Sequence, residues 1–214
     1  MTGFALDLRK STATAHRDAE STGFLSRLAV GAVPVAGFAA LAAQHYLIYR
    51  ELESVGERMR ADPVAGAFVD PALDRLPTLE ADLRELHGRD WASAVSALPA
   101  TERYTSRLRT ACAEWPAGFI AHHYVRYLGD LSGGLMLGPA LRSSYGAGTS
   151  FYVFDRIPDP RAYKDAYRTR LDALPYPPAE LERLAAEAAI AYQLNIDVLR
   201  ELGLDFPDDL AAAA

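Results

Sequence analysis

Nitrogen and sulfur side chains able to bind metals are few in this 214-residue chain and unevenly placed. Five histidines are present, His16, His45, His87, His122 and His123, with a single cysteine, Cys112. No HExxH, CxxC, GxGxxG, GxSxG or Walker pattern occurs, so zincins, nucleotide-binding proteins and standard hydrolases lack their usual signatures here. No Glu-x-x-His step of the di-iron bundle type is present either. One cysteine excludes an intramolecular disulfide and any Cys-built zinc or iron–sulfur cage, and Cys112 reads as a small buried apolar residue.

Three local patterns stand out. His16 lies on the apolar face marked by Ala15 and Ala19, with Glu20 one i+4 step ahead; a carboxylate or water accepting from the second ring nitrogen is how a ligating histidine is oriented. A plain core or surface histidine is the other reading. The segment GDLSGG, Gly129 to Gly134, places three glycines inside a helical stretch, each costing roughly 1 kcal/mol against alanine. Gly129 and Gly133 share a face, which lets something come close to the backbone: a neighbouring helix, the end of the helix, or a flat ligand. Asp130 follows, with Arg126 one turn earlier, the weaker order for a helix ion pair. The pair is either solvated or part of a polar network in which a carboxylate positions water. Lys164 and Arg168, four apart, repel one another by a few tenths of a kcal/mol and suit an anionic group bridging them; Asp165 and solvation give the plainer account.

The elements that must carry these residues are helical almost throughout. Leu8, Ala15, Ala19, Phe24, Leu25 and Leu28 recur at helical spacing, with Ser11 and Thr12 as polar caps. Phe38, Leu41, Ala42, His45, Tyr46, Tyr49 and Leu52 predict one long helix from Val35 to Met59. Pro71 and Pro77 interrupt the next stretch; a short helix then runs from Leu79 to Leu86 and stops at Gly88. Pro99 opens another helix, Pro116 closes it, and a long segment from Ala117 to Tyr145 follows. Phe151 to Phe154 is the one plausible strand, ended by Pro158 and Pro160. Helices resume from Arg161 to Leu174 and from Ala179 to Leu202. These predict one all-α domain over 1–214, a bundle of about eight helices with a loose tail over the last ten or so residues.

Half of the residues are apolar and 23% charged, with a mean hydropathy of -0.04, so the chain reads as an ordinary globule. Twenty-two basic against 28 acidic residues give a net charge of -6, and no basic stripe appears, which argues against nucleic acid as a partner. The run Val33 to Ala43 is about half the length needed to cross a bilayer, and the N-terminal MTGFALDLRK does not read as a signal peptide; a cytoplasmic protein is expected.

Taken together, the patterns resemble the haem oxygenases, bacterial members most closely. AHHYVRYLGDLSGG, Ala121 to Gly134, is similar to the family's distal-helix signature almost residue for residue. STATAHRDAE, Ser11 to Glu20, resembles the segment that carries the proximal histidine; LNIDVLREL, Leu194 to Leu202, and HYLIYRELE, His45 to Glu53, match further segments. The resemblance implies haem b sandwiched between a proximal helix and a kinked distal helix. His16 would be the iron ligand and Glu20 its orienting partner. Gly129 and Gly133 would let the distal helix kink over the macrocycle, with Ser132 and Gly134 in the same haem-contacting turn. Asp130 would hold a distal water network with Tyr49, Arg126 and Asn195. Arg9 (replacing the usual Lys), Tyr124, Lys164 and Arg168 would contact the propionates, and Leu25, Leu28, Tyr192 and Leu199 would line apolar walls.

It further implies oxidative opening of haem to biliverdin with release of carbon monoxide and ferrous iron, using O2 and electrons from a separate NADPH-dependent reductase or ferredoxin. A monomer is expected. The departures are Leu135 in place of the usual Gln, Pro139 where the distal helix normally continues, and Tyr192 and Leu199 where aromatics are common. A haem carrier or sensor, and a thiaminase-like helical enzyme without haem, remain as other classes.

Overall fold

Five prolines sit at the first turns of helices, where a missing N–H costs nothing: Pro77 in α5 (Leu76–His87), Pro99 in α7 (Pro99–Arg107), Pro116 in α8 (Pro116–Gly129), Pro160 in α10 (Pro160–Asp172) and Pro178 in α11 (Pro178–Asp205). Pro77 and Pro116 therefore start helices, where the sequence reading had one interrupting a stretch and the other closing it. The remaining helices are α1 (Phe4–Ser11), α2 (Ala13–Glu20), α3 (Gly23–Ala29), α4 (Val35–Met59), the short α6 (Trp91–Ala94) and α9 (Leu135–Tyr145). These come from a computed structural model whose described residues are 3–208. Most of the expected loose tail lies outside them; up to Asp205 the chain is still α11.

Several of these helices run into one another. A wide π-helical turn, Leu108–Cys112, prolongs α7, and a second, Asp130–Gly134, joins α8 to α9 without a break. Pro139 does not end the distal segment: α9 runs through it to Tyr145 and stops where Gly146 takes φ 74°, a conformation glycine adopts freely. The cap expected at Ser11 and Thr12 has a different form. Thr12 stands at the N-cap position of α2, but its hydroxyl donates back to the Leu8 carbonyl at 2.8 Å.

The expected strand at Phe151 to Phe154 does not form, and no strand occurs among the described residues. Ser150–Tyr152 is a 3-10 turn whose backbone is satisfied by side chains instead of a ladder. The Asp82 carboxylate accepts from the Ser150 and Phe151 amides, both at 2.7 Å, and Arg75 donates to the Phe151 and Val153 carbonyls at 3.3 and 2.7 Å. The apolar run serves burial: Phe151, Tyr152 and Phe154 are all in the core.

α11 organises the molecule. It packs most extensively on α8 and also against α1, α2, α3, α4 and α7, so one helix touches both the N-terminal segment carrying His16 and the helix leading to the glycine turn. No helix among the described residues is long and apolar enough to cross a membrane.

Candidate active site

The glycine turn is the site's most unusual feature. A side chain built at Gly129 or Gly133 would meet nothing within 4 Å, so on this face the backbone of the Asp130–Gly134 turn looks onto open space. Packing of a neighbouring helix therefore does not explain these two glycines. Gly134 is different: its Cβ would sit 3.5 Å from Asp130 Cβ and 3.9 Å from Tyr152.

A polar network lies behind the turn, with Tyr49 and Arg126 buried and Asp130 and Asn195 half-buried. The Tyr49 hydroxyl donates to Asp130 Oδ2, Arg126 Nε donates to the Tyr49 oxygen at 3.3 Å, and Arg126 Nη1 donates to Asn195 Oδ1 at 2.6 Å. The guanidinium also lies 4.8 Å from the Tyr49 ring centroid. α4, α8, the turn and α11 contribute one member each. Burial raises the Asp130 carboxyl, opposed by the Arg126 charge and the Tyr49 hydrogen bond. Burial also pushes the Tyr49 phenol well above its usual range, with Arg126 opposing and Asp130 adding to the rise. Tyr49 is thus held as the proton donor and Asp130 as the acceptor. Among the described residues only Oδ2 of Asp130 accepts a hydrogen bond, which leaves Oδ1 to accept from a further donor.

His16 is half-buried on α2, and its ring meets Tyr192 of α11 edge-on, centroids 5.8 Å apart at 68°. Tyr192 and Asn195 are one turn apart on α11, so one stretch of one helix touches His16 through Tyr192 and Arg126 through Asn195. Leu199, one turn further, is buried on α11, as is Leu28 on α3, while Leu25 is partly buried. The Glu20 side chain, expected to orient His16, lies outside the described residues.

A cationic edge borders this region. Burial raises the Tyr124 phenol, offset by the Thr12 hydroxyl and the charges of Arg168 and Arg9, which places all four groups together. Arg168 pairs with Asp165 at 2.6 Å. Lys164 reaches across to the turn, donating to the Leu131 carbonyl and Ser132 Oγ, both at 3.0 Å. Desolvation and the nearby Arg168 charge lower its ammonium.

Open backbone at the turn, beside the Arg9, Tyr124, Lys164 and Arg168 groups, can take a flat ligand with an anionic edge, and the comparisons fit it. The family profile described as Heme oxygenase matches residues 2–201. The chain is 36% identical to "Heme oxygenase 2" of Synechocystis sp. over 221 aligned positions, covering 100% of this chain and 86% of that protein. It is 37% identical to "Heme oxygenase 1" of Rattus norvegicus over 202, covering 91% and 70%. The crystal structure of heme oxygenase-1 from Synechocystis sp. PCC6803 in complex with heme superposes with a TM-score of 0.92 at 31% identity, covering 99% of this chain and 97% of that one.

The chain belongs to the haem oxygenase family. It is an enzyme of haem degradation with the all-α haem oxygenase fold. Arg168 pairs with Asp165, the plainer account given above, whereas the bond from Lys164 to the turn is a partner the sequence did not suggest. Two neighbours of the network went unremarked. His45, one turn before Tyr49, packs on Phe151 with centroids 5.0 Å apart, and its imidazole is kept neutral by burial and by the Arg126 charge. Its spacing from Tyr49 was the available signal. Tyr152 packs on the Gly134–Gly138 face of α9, and no local pattern announces so distant a contact.

Proposed function

We propose that this haem oxygenase binds haem b between His16, as the iron ligand, and the Asp130–Gly134 turn, and opens it to biliverdin, carbon monoxide and ferrous iron. O2 and electrons come from outside the chain, the electrons through a separate ferredoxin or reductase, and the enzyme acts as a cytoplasmic monomer. The observation that carries the reading is the open space over Gly129 and Gly133 directly beside a Tyr49–Asp130–Arg126–Asn195 network whose Tyr49 and Arg126 are buried. A macrocycle needs backbone without Cβ atoms to lie flat against, and the residues present fit that need.

Bound haem supplies the iron at which oxygen is reduced and the ring carbon that is oxidised. The chain's own residues supply placement and protons. His16 would be the side chain that holds the iron, and no second protein ligand is needed for the group to react with oxygen. Tyr49 fills one Asp130 oxygen, so the second can hold a water over the open face, as a group that tunes a metal site without touching it. Arg126 and Asn195 fix the carboxylate's position. No ionised imidazole stands in this network, since His45 is neutral there. Arg9, Tyr124, Lys164 and Arg168 meet the propionates, each well-formed contact contributing roughly 1.5–3 kcal/mol. For Lys164 this means sharing its ammonium between a propionate and the turn.

The test is the absorption spectrum of the purified protein with added haem, before and after a reductant in air. A Soret band that forms and is then replaced by bile-pigment absorption is the expected result. A Soret band that survives reductant and air marks a haem carrier, and no band at all removes haem from the site.

A further inference from the structure

Four tyrosines form a line from the Asp130 network to the protein surface, and each has a proton acceptor. The Tyr49 ring meets the Tyr127 ring at 5.4 Å between centroids, Tyr127 meets His123 at 4.4 Å, and His123 stacks on Tyr167 at 5.8 Å and 14°. Tyr163, one turn before Tyr167 on α10, shares with it the Arg170 guanidinium, which lies 5.4 Å from the Tyr167 centroid and 5.8 Å from that of Tyr163. The acceptors are Asp130 for Tyr49, Glu53 Oε1 for Tyr127 at 3.5 Å, His123 Nδ1 for Tyr167 at 2.9 Å, with the imidazole in its Nε2–H tautomer, and Asp70 Oδ2 for Tyr163 at 2.8 Å. Tyr49 and Tyr167 are fully buried, whereas Tyr163 is partly exposed. Glu53, Asp70, His123 and Tyr127 line one cavity of about 170 Å³.

The acceptors distinguish this line from ordinary aromatic packing. A phenol that loses an electron becomes a strong acid, so the ring is readily oxidised only where its proton has somewhere to go. Tyr104 is equally buried and touches His122 at 5.4 Å, but its hydroxyl has no hydrogen-bond partner among the described residues. It could not serve as a relay.

We propose that Tyr49, Tyr127, Tyr167 and Tyr163 conduct oxidising equivalents from the distal side of the haem cleft to the surface, protecting the active site when peroxide reacts there unproductively. The proposal rests on the haem reading above for its source of oxidant, hydrogen peroxide acting at bound haem. The oxidant takes one electron from Tyr49, whose proton passes to Asp130. Tyr127 then gives an electron to Tyr49 and, at a pH above about 7 where Glu53 is ionised, its proton to Glu53, while Asp130 returns its proton. Tyr167 re-reduces Tyr127 across the His123 ring, its proton moving to His123 Nδ1 as Glu53 returns the one it took. Burial, with the Arg170 charge, holds that imidazole down to about 3, neutral and able to accept. Tyr163 re-reduces Tyr167 with its proton on Asp70, and His123 returns its own. A surface reductant such as ascorbate or a thiol gives the last electron, and Asp70 returns the last proton. One electron crosses the protein and no proton is consumed along the line.

The experiment uses the haem-loaded protein, hydrogen peroxide and a nitroso spin trap, with the trapped residue located by mass spectrometry. Wild type should be labelled at Tyr163. Tyr127→Phe and Tyr167→Phe should lose that label while a tyrosyl signal persists in the electron paramagnetic resonance spectrum, nearer the haem. A Tyr163 label unchanged in both variants, or its absence in wild type, would overturn the path. A second arm needs no haem: a ruthenium photo-oxidant on Gly133→Cys, with Cys112 too buried to react. Flash oxidation there should give the same Tyr163 label and the same dependence on Tyr127. A missing Soret band with added haem would therefore contradict the functional reading alone, while failure of the ruthenium arm would contradict the path alone.

Discussion

Two π-helical turns interrupt two helices of this fold, and they have opposite fates. Leu108–Cys112 is sealed: Leu108 and Cys112 are fully buried, and beside them Glu187 is gripped by Arg107 at 2.8 and 2.5 Å and by His122 Nε2 at 2.9 Å. Asp130–Gly134 is open: two of its flanking and internal positions carry no side chain and face space. Both neighbourhoods contain a carboxylate next to an arginine, Glu187 buried and Asp130 half-buried. At Glu187 both oxygens are occupied, and the cluster holds α7, α8 and α11 together. At Asp130 one oxygen has no hydrogen bond among the described residues. A wide turn is therefore not a site by itself; what makes one is the removal of side chains together with an incomplete set of hydrogen bonds.

Breaking the sealed cluster should have the largest effect on the fold. Glu187→Ala leaves Arg107 and the buried His122 without their carboxylate and should cost about 3 kcal/mol in urea unfolding. Although burial opposes it, the paired Arg107 and His122 hold the Glu187 carboxyl down to about 2. A lowered carboxyl contributes stability above its unfolded value that disappears as pH falls towards the folded one. Acid unfolding of wild type should accordingly steepen below about pH 4.5, and Glu187→Ala should blunt that slope.

Next comes Glu53, where the sign reverses. Burial lifts its carboxyl to about 7, so the folded state binds the extra proton and stability falls as pH rises from about 4.5 to 7. Glu53→Gln, whose amide oxygen can still accept from the Arg75 and Leu76 amides that Glu53 now serves, should flatten that fall by up to about 3 kcal/mol. A slope unchanged by the substitution would place the proton elsewhere.

A smaller effect sharpens the comparison at the open turn. Gly129→Ala has room for its methyl and should raise the stability of haem-free protein by up to about 1 kcal/mol, while weakening haem binding in a titration. Gly138→Ala on α9 should do the reverse of the first half, because its Cβ would come within 2.9 Å of Tyr152 Cβ. If both substitutions move stability and haem affinity the same way, the open turn is not a cradle. Lys164→Met should change stability least, by under about 1 kcal/mol, and its effect should instead show as a mixture of biliverdin isomers once the turn and the propionate lose a shared cation.

Helix positions were readable where periodicity and punctuation agree. α4 runs over the predicted Val35–Met59, and Gly88 stops α5 at φ 81°. The π turns were not readable, because nothing in a helical pattern marks one extra residue per turn; the three glycines signalled only that something approaches the backbone. Phe151 to Phe154 misled because apolar runs look alike whether a ladder or two distant side chains, Asp82 and Arg75, satisfy their backbone. At the site, the signature Ala121–Gly134 and the His16 segment named residues on α8, the glycine turn and α2, and Arg126 and Asp130 do join one network with Tyr49 and Asn195. The tether from Lys164 to the turn, and the places of His45 and Tyr152, depend on contacts between residues far apart in the chain.

The central claim is that a carboxylate with one free oxygen, beneath bare backbone, is what opens the ring. Asp130→Ala tests it most directly, by bile-pigment analysis of the haem-loaded variant supplied with O2 and reductant. The account predicts haem binding and a His16-type spectrum close to wild type, pigment yield reduced by about 10- to 100-fold, and peroxide diverted to one-electron oxidation of an added dye. A variant that binds haem and makes pigment at the wild-type rate would contradict it.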